Sequence, residues 1–247
     1  MIKTLYDKLE SVIRLPAVRE NEALIRNLSQ ILLYEIKDIT QNEKRYINQA
    51  RDITFRCLRH IDKLNNEILS KSEREDVTFS FRLYRFSSLI ESAVESCDIL
   101  MSKTTVKAEF IYHREFFAVC SKKLILTAIG KFFLLFYRLF EYAHIVFACR
   151  KDKMTTILSV ETKEAKRKSN ENIYDSSEFQ TIKKIAELHS GSFLHIEKEN
   201  GLKFVLSLKN EDESLFPKES FSGFTELLMD KTSEIYVALS SVKEISE

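Results

Sequence analysis

From Ile47 to Ile68 one series of residues, Ile47, Ala50, Thr54, Cys57, Ile61, Leu64 and Ile68, advances in strict alternation of three and four positions. A pattern sustained for about three heptads marks an α-helix whose seam needs a facing partner. Another helical stripe precedes it, with Ile25, Leu28, Leu32, Ile36 and Ile39 recurring at steps of 3, 4, 4 and 3. The polar run Thr40-Gln41-Asn42-Glu43-Lys44 separates the two as a turn. Two long helices joined by a short turn form an αα-hairpin, and its apolar stripes stay uncovered unless another hairpin packs on them. The spacing therefore predicts a homodimer built on a four-helix bundle, with residues 20–75 as the dimerisation hairpin. A shorter helix, with Ile2, Leu5, Leu9 and Val12 on one side, occupies residues 1–19 and stops near Pro16.

Beyond the charged hinge Lys71-Ser72-Glu73-Arg74-Glu75-Asp76 the periodicity changes. Val77-Thr78-Phe79-Ser80-Phe81 reads as a short strand, Leu83 to Leu100 as an amphipathic helix, and Val106 to Phe110 as an alternating strand. A very apolar helix spans Ser121 to Tyr142, and strands follow near His144–Cys149 and Thr156–Val160. The polar stretch Thr162–Asn172 reads as a mobile loop. A helix over Phe179–His189 leads into a hairpin, Ser192 to Leu208, with Asn200-Gly201 as its two-residue turn. Strands alternating with a few helices on one side make residues 76–212 a two-layer sandwich, so the chain is α+β. Residues 213–247 form a C-terminal tail with one more strand or helix near Ile235–Leu239.

Composition narrows the function. The 247 residues include four glycines, Gly130, Gly191, Gly201 and Gly223, too far apart for any glycine-rich phosphate nest. Lys+Arg 38 against Asp+Glu 37 leaves a net charge of +1, which makes nucleic acid a poor partner. Cys57, Cys97, Cys120 and Cys149 show no CxxC pair and no His at zinc-ligand spacing, so no metal site is expected and they read as reduced thiols of a cytoplasmic protein. Cys120, near the start of the apolar helix, is the one placed for reactivity. The greasiest run, Phe132 to Tyr137, is broken by Arg138 and Glu141 and falls short of the roughly 18–20 residues of a membrane span. The N-terminus reads as an amphipathic helix and not as a signal peptide.

The run Ile182-Lys183-Lys184-Ile185-Ala186-Glu187-Leu188-His189-Ser190-Gly191-Ser192, followed by the hairpin and Phe204-Val205-Leu206-Ser207-Leu208, resembles bacterial sensor histidine kinases. Their ATP-binding sandwich closes with a helix reading I-V-K-K-I-A-E-L-H-G-G and then a hairpin. Leu24-Ile25-Arg26-Asn27-Leu28-Ser29-Gln30-Ile31-Leu32 resembles the family's phosphoacceptor box, F-x-x-N-V-S-H-E-L. The likeness covers residues 20–210, and the order of elements agrees. It implies a GHKL-type ATPase sandwich, ATP and Mg²⁺ as the family's cofactors, and a response-regulator receiver domain or a partner histidine kinase as the binding partner.

The functional positions of that family are mostly replaced. Gln30 stands where the box has its His, and an amide has no basic nucleophilic nitrogen to phosphorylate. Ile31 and Glu35 stand for the family's Glu and Pro, so the acid/base partner is missing too. The Asn residues that hold Mg²⁺ correspond to Gly130 and Leu134, or to Lys131 and Leu135 one register along. Leucine offers no lone pair to a hard cation. The D-x-G-x-G box falls at Val160 to Ala165, where Glu161 replaces the Asp and Lys163 the first Gly. The G-x-G-L-G-L box falls at Tyr174 to Phe179, including Ser176 and Glu178, again without glycine. Together these losses imply a catalytically silent member that does not bind ATP. The apolar residues Phe132, Phe133, Leu134, Leu135, Phe136 and Tyr137 are expected to fill the former nucleotide site, or else some of them to face a partner or the bundle.

Two functional readings follow. In the first, the chain is a dimeric binding or regulatory module. Family receiver domains dock on the hairpin beyond the phosphoacceptor, which matches Gln30, Tyr34, Lys37, Asp38 and Gln41, an exposed stripe with Tyr34 as its aromatic anchor. Alternatively, Tyr34 packs against its own hairpin. In the second, the chain is an active histidine kinase or phosphotransferase using His60 or a non-standard nucleotide site, although a His beside a packed seam is usually structural. His189 and His195 read as structural, His113 and His144 have no companion pattern, and Lys163, Lys166, Arg167 and Lys168 read as a solvated loop.

Overall fold

A computed structural model describes residues 55–63, 66, 67, 69, 79–111, 114–168, 172–198, 201–221, 223–230 and 233–242. The N-terminal helix, the first hairpin helix with Gln30, Tyr34, Lys37, Asp38 and Gln41, the charged hinge, and the seam positions Ile47, Ala50, Thr54, Leu64 and Ile68 lie outside them. Helix α1 comprises the helical residues 55–63, 66, 67 and 69.

The sandwich follows as β1 (Arg82–Arg85), α2 (Phe86–Leu100), β2 (Val106–Ile111), β3 (Phe117–Cys120), α3 (Lys122–Leu139), β4 (Phe140–Lys151), β5 (Thr155–Arg167), α4 (Ser177–Leu188), β6 (Ser192–Lys198) and β7 (Gly201–Lys209). Two short helices close the described chain, α5 (Phe224–Met229) and α6 (Glu234–Leu239). Five strands form one sheet in the order β2-β4-β5-β7-β6, and β1 pairs with β3 in a separate two-stranded ribbon. The β2–β4 pair is parallel, so the chain between them must cross over, and it does so through β3 and α3.

Alternation along the strands sets the two faces of the sheet. Ile145, Phe147, Leu158, Val160, Phe204 and Leu206 point at the helices and are fully buried. Phe132, Phe133 and Phe136 of α3 meet them, with ring centroids 6.1 Å and 5.6 Å from Phe147 for the first two and 5.7 Å from Phe204 for the third. The helix is thus buried nearly all round, as its sequence predicts. Its aromatic side chains, however, build the core against the sheet and do not fill a site on the outer side. Residues 132, 133 and 136 share one helical face, and that face is the one the sheet covers.

Several boundaries differ from the sequence reading. Residues 79–81 are not a strand, and the strand at Arg82–Arg85 displaces the start of the helix from Leu83 to Phe86. Its partners are remote: besides β3, Leu83 N–H donates to the Pro217 carbonyl and Leu83 O accepts from Glu219 N–H, both at 3.0 Å. The apolar helix ends at Leu139, not Tyr142, because Phe140 and Tyr142 enter β4 opposite Arg167 and Lys166. Thr162 to Arg167, expected as loop, continues β5, and Lys168 lies just beyond the strand. Its charges find cross-strand partners, Lys166 with Glu141 at 2.6 Å and Lys163 with Glu109 at 3.3 Å. Cys120 closes β3 and directly precedes Ser121, the N-cap of α3, near the start of the apolar helix as expected. Gly201 belongs to β7 opposite Lys198, so the connection precedes it. A Cβ on Gly201 would lie 1.7 Å from Thr162 Oγ1, which leaves only glycine there. Beyond Pro217, Leu227, Ile235, Leu239 and Val242 belong to the same core cluster as the sandwich.

Candidate functional site on the outer face of the helical layer

The positions that the resemblance marks for nucleotide chemistry fall into two places. Gly130, Lys131 and Leu134 lie on α3, and Ser176 and Glu178 lie at the start of α4, all in the helical layer. Glu161 and Lys163 alternate with Val160 and Thr162 on β5, so they occupy the opposite face of the sheet. The structure does not bring these two groups together.

Each position in the helical layer is buried or bonded within the chain itself. α6 lies across α3 so closely that a Cβ on Gly130 would sit 2.6 Å from the Ala238 Cβ, and a glycine is what permits this approach. Ile235, Val237, Ala238 and Leu239 of α6 are buried. Next to it, Lys131 is 2% exposed at its side chain, and its Nζ donates to Asp62 Oδ1 and Oδ2 at 2.7 and 2.6 Å. Burial holds the Asp62 carboxyl above the usual carboxylate range, outweighing the lowering by Lys131. Asn66 Nδ2 also donates to Asp62 Oδ2 at 3.3 Å, and Thr181 Oγ1 of α4 donates to Asn66 Oδ1 at 3.1 Å. Leu134 is buried. Ser176 caps α4, its Oγ accepting from Phe179 N–H at 3.1 Å. Glu178, in the first turn, is buried and accepts from Arg138 Nη1 at 2.7 Å.

On the other face Glu161 accepts from Lys203 at 2.9 Å and Lys198 at 3.1 Å, and these hydrogen bonds hold its carboxyl below the usual range. The helix-facing neighbour is Thr162, whose Oγ1 accepts from Leu202 N–H at 3.0 Å.

A magnesium nucleotide needs oxygen donors for the cation and free backbone N–H groups for the phosphates. The residues here do not fit it. The α3 positions offer a glycine covered by Ala238, a lysine committed to Asp62, and a leucine. Sequence reasoning found these positions but missed the residues that engage them, Asp62, Asn66, Ala238 and Arg138, because none belongs to a motif.

The remaining chemical candidates also have structural roles. His189 Nε2 accepts from Ser121 N–H at 3.2 Å, so Nδ1 carries the proton that bonds the Ile185 carbonyl at 2.8 Å. His195 Nδ1 pairs with Tyr174 Oη at 2.9 Å within an aromatic cluster of Phe179, Phe193 and Phe204. Among the described residues His60 Nε2 has no hydrogen-bond partner. His144 lies 3.8 Å from Glu109, and His113 is outside the described residues. All four cysteines are buried, and burial raises each thiol, Cys149 to about 12 and Cys120 further, so Cys120 is not a reactive thiolate. Among the described residues no cluster of His, Cys, Asp or Glu could hold a metal ion, and no helix is long and apolar enough to cross a membrane.

No protein-family model matches the sequence, and no curated protein matches it. Solved structures do match. Histidine kinase AdeS of Acinetobacter baumannii superposes with a TM-score of 0.53 at 8% identity, over 76% of this chain and 94% of that one. Full-length ShkA, solved in complex with AMPPNP, gives 0.56 at 10% identity, over 85% of this chain and 46% of that one. The sandwich, reached from its strand order and helical layer, has the fold of histidine kinase catalytic domains.

Proposed function

We propose that the chain is a histidine-kinase-like signalling protein without phosphotransfer activity, a dimeric regulatory module that binds a response-regulator receiver domain or a partner kinase. The observation that carries this reading is the engagement of the nucleotide-equivalent positions by the chain's own α6 and by Asp62. Gln30 in place of the phosphoacceptor and the missing glycine loops agree with it. The hairpin stripe Gln30, Tyr34, Lys37, Asp38 and Gln41 supplies the docking face, and residues 20–75 supply the dimer.

The test has two arms. A ligand that binds only the native state raises the melting temperature by mass action. Millimolar ATP with Mg²⁺ should give no shift and no acid-labile label on the protein. A magnesium-dependent shift would revive the kinase reading. Receiver-domain binding should fall by about 1–2 kcal/mol in Tyr34→Ala with the melting temperature unchanged. A loss of stability without a binding defect would place Tyr34 in the core and remove this docking face.

A further inference from the structure

Helix α1 meets the sandwich through Arg59, Asp62, Asn66 and Leu69, none of which belongs to the heptad seam. Phe55, Leu58, Asp62, Asn66 and Leu69 follow one another at steps of 3, 4, 4 and 3. On a helix this stripe lies about 120° round from Cys57 and Ile61 of the seam. Both faces are buried where they are described: Cys57 and Ile61 on one, Phe55, Leu58 and Leu69 on the other. Leu69 belongs to the sandwich's own core cluster.

The middle of the second stripe is polar, and its partners come from three different elements. Arg59, at its margin, donates from Nη1 to the Ser240 carbonyl after α6 at 3.1 Å. Asp62 takes both bonds of Lys131 on α3, and Asn66 accepts from Thr181 on α4. Lys131 is the one buried charged side chain of α3.

Apolar stripes tolerate sliding, because a leucine one turn away fills nearly the same space. A buried charge pair does not. Displacing α1 by one turn would leave Lys131, 2% exposed, enclosed without its counter-charge and Asp62, 20% exposed, without its partner, which is costlier than keeping or exposing the pair. A single polar pair within an apolar seam is the established physical means of fixing register.

We infer that the Asp62–Lys131 pair is a register key that makes docking of α1 on the helical layer two-state. In one state the pair is made and α1 is seated on α3, α4 and α6. In the other α1 is released as a unit and both charges return to water. Intermediate positions are excluded by the unpaired charges. A partner that loads the hairpin then acts on the sandwich through one discrete contact. This inference does not depend on whether the chain binds a nucleotide.

Amide hydrogen exchange on the full chain tests it, with β4 and β5 as internal controls for the sandwich. Asp62→Asn and Lys131→Met should each speed exchange of residues 55–63 by about a hundredfold while β4 and β5 keep their protection. The double variant Asp62→Leu/Lys131→Met, which leaves no charge unpaired, should regain most of that protection. Unchanged exchange in Asp62→Asn would overturn the key. So would loss of protection in α1 and the sheet together in both single variants, because α1 would then be ordinary core. A double variant as fast as the single ones would assign the loss to packing and overturn it as well.

Discussion

On its sheet side α3 sets Phe132, Phe133 and Phe136 against Phe147, Phe140 and Phe204, ring on ring. On its outer side, about 150° round the helix at Lys131, the contacts are Gly130 with Ala238, Lys131 with Asp62 and Arg138 with Glu178. The first side is continuous apolar surface, with an energy that scales with buried area and depends little on position. The second is held by one close approach and two charge pairs, each satisfied in a single arrangement. Stability therefore comes mainly from the sheet side, and specificity for what lies on the helical layer comes from the outer side.

The largest break should come from the sheet side. Phe132 touches Phe147, Phe193 and Phe204 and is fully buried. Phe132→Ala should cost about 3–5 kcal/mol, because the cavity left between helix and sheet cannot collapse. Denaturant unfolding measures it, and a loss below about 1 kcal/mol would mean that the aromatic side is not the main core.

The outer side should respond less and more locally. Gly130→Ala gains helix propensity of about 1 kcal/mol, yet its new methyl meets Ala238, so a net loss of about 1–2 kcal/mol is expected. Gly130→Ala/Ala238→Gly moves the methyl to the other helix and should recover stability relative to Gly130→Ala alone. Exchange at residues 234–239 should report the change while β4 and β5 stay protected. Equal losses in the single and double variants would show that α6 does not rest on Gly130.

The contrast between the sides also explains what the sequence disclosed. The apolar run on α3 and the I-K-K-I-A-E-L helix are local patterns, and both are legible as helices, while the surface that the α3 aromatics face is not. The sequence pattern ends this strand at Val160 because Thr162 to Arg167 carries only Ala165 as an apolar residue, and its strand state rests on pairing with β4. β1 and β3 are four residues each and owe their state to each other and to the chain near Pro217. The heptad seam was visible in α1, but its second stripe was not, because Asp62 and Asn66 interrupt the apolar pattern where they bond Lys131 and Thr181. The resemblance marks Gly130, Leu134, Ser176 and Glu178 by motif spacing alone. What engages them comes from remote parts of the chain, and no local period encodes it.

A smaller effect is expected at the end of α3. Arg138 is 45% exposed while its partner Glu178 is 5% exposed, so the pair is half in water. Arg138→Ala should cost about 1–2 kcal/mol, mainly through the carboxylate left buried. Adding Glu178→Gln should recover part of that loss in the same unfolding assay. No recovery would mean that the arginine acts through packing of its stem.

The smallest effect belongs to the open face of the sheet, where Glu161 is part of a charge ladder. Glu161 is 35% exposed between Lys198 and Lys203, and their hydrogen bonds lower its pKa from the ordinary value of 4.5. A carboxyl that ionises more readily in the folded chain adds stability above its unfolded value. That contribution is lost as pH falls through the lower folded value. Because the group is partly solvated, Glu161→Gln should cost only a few tenths of a kcal/mol at pH 7. The difference from the unaltered chain should shrink as the pH is taken below about 4 and should also fall with added salt. A gap of the same size at pH 7 and in acid would show that Glu161 contributes through its shape and not its charge. The open face would then differ from the outer side of α3 in the kind of contact it makes, and not only in its exposure to water.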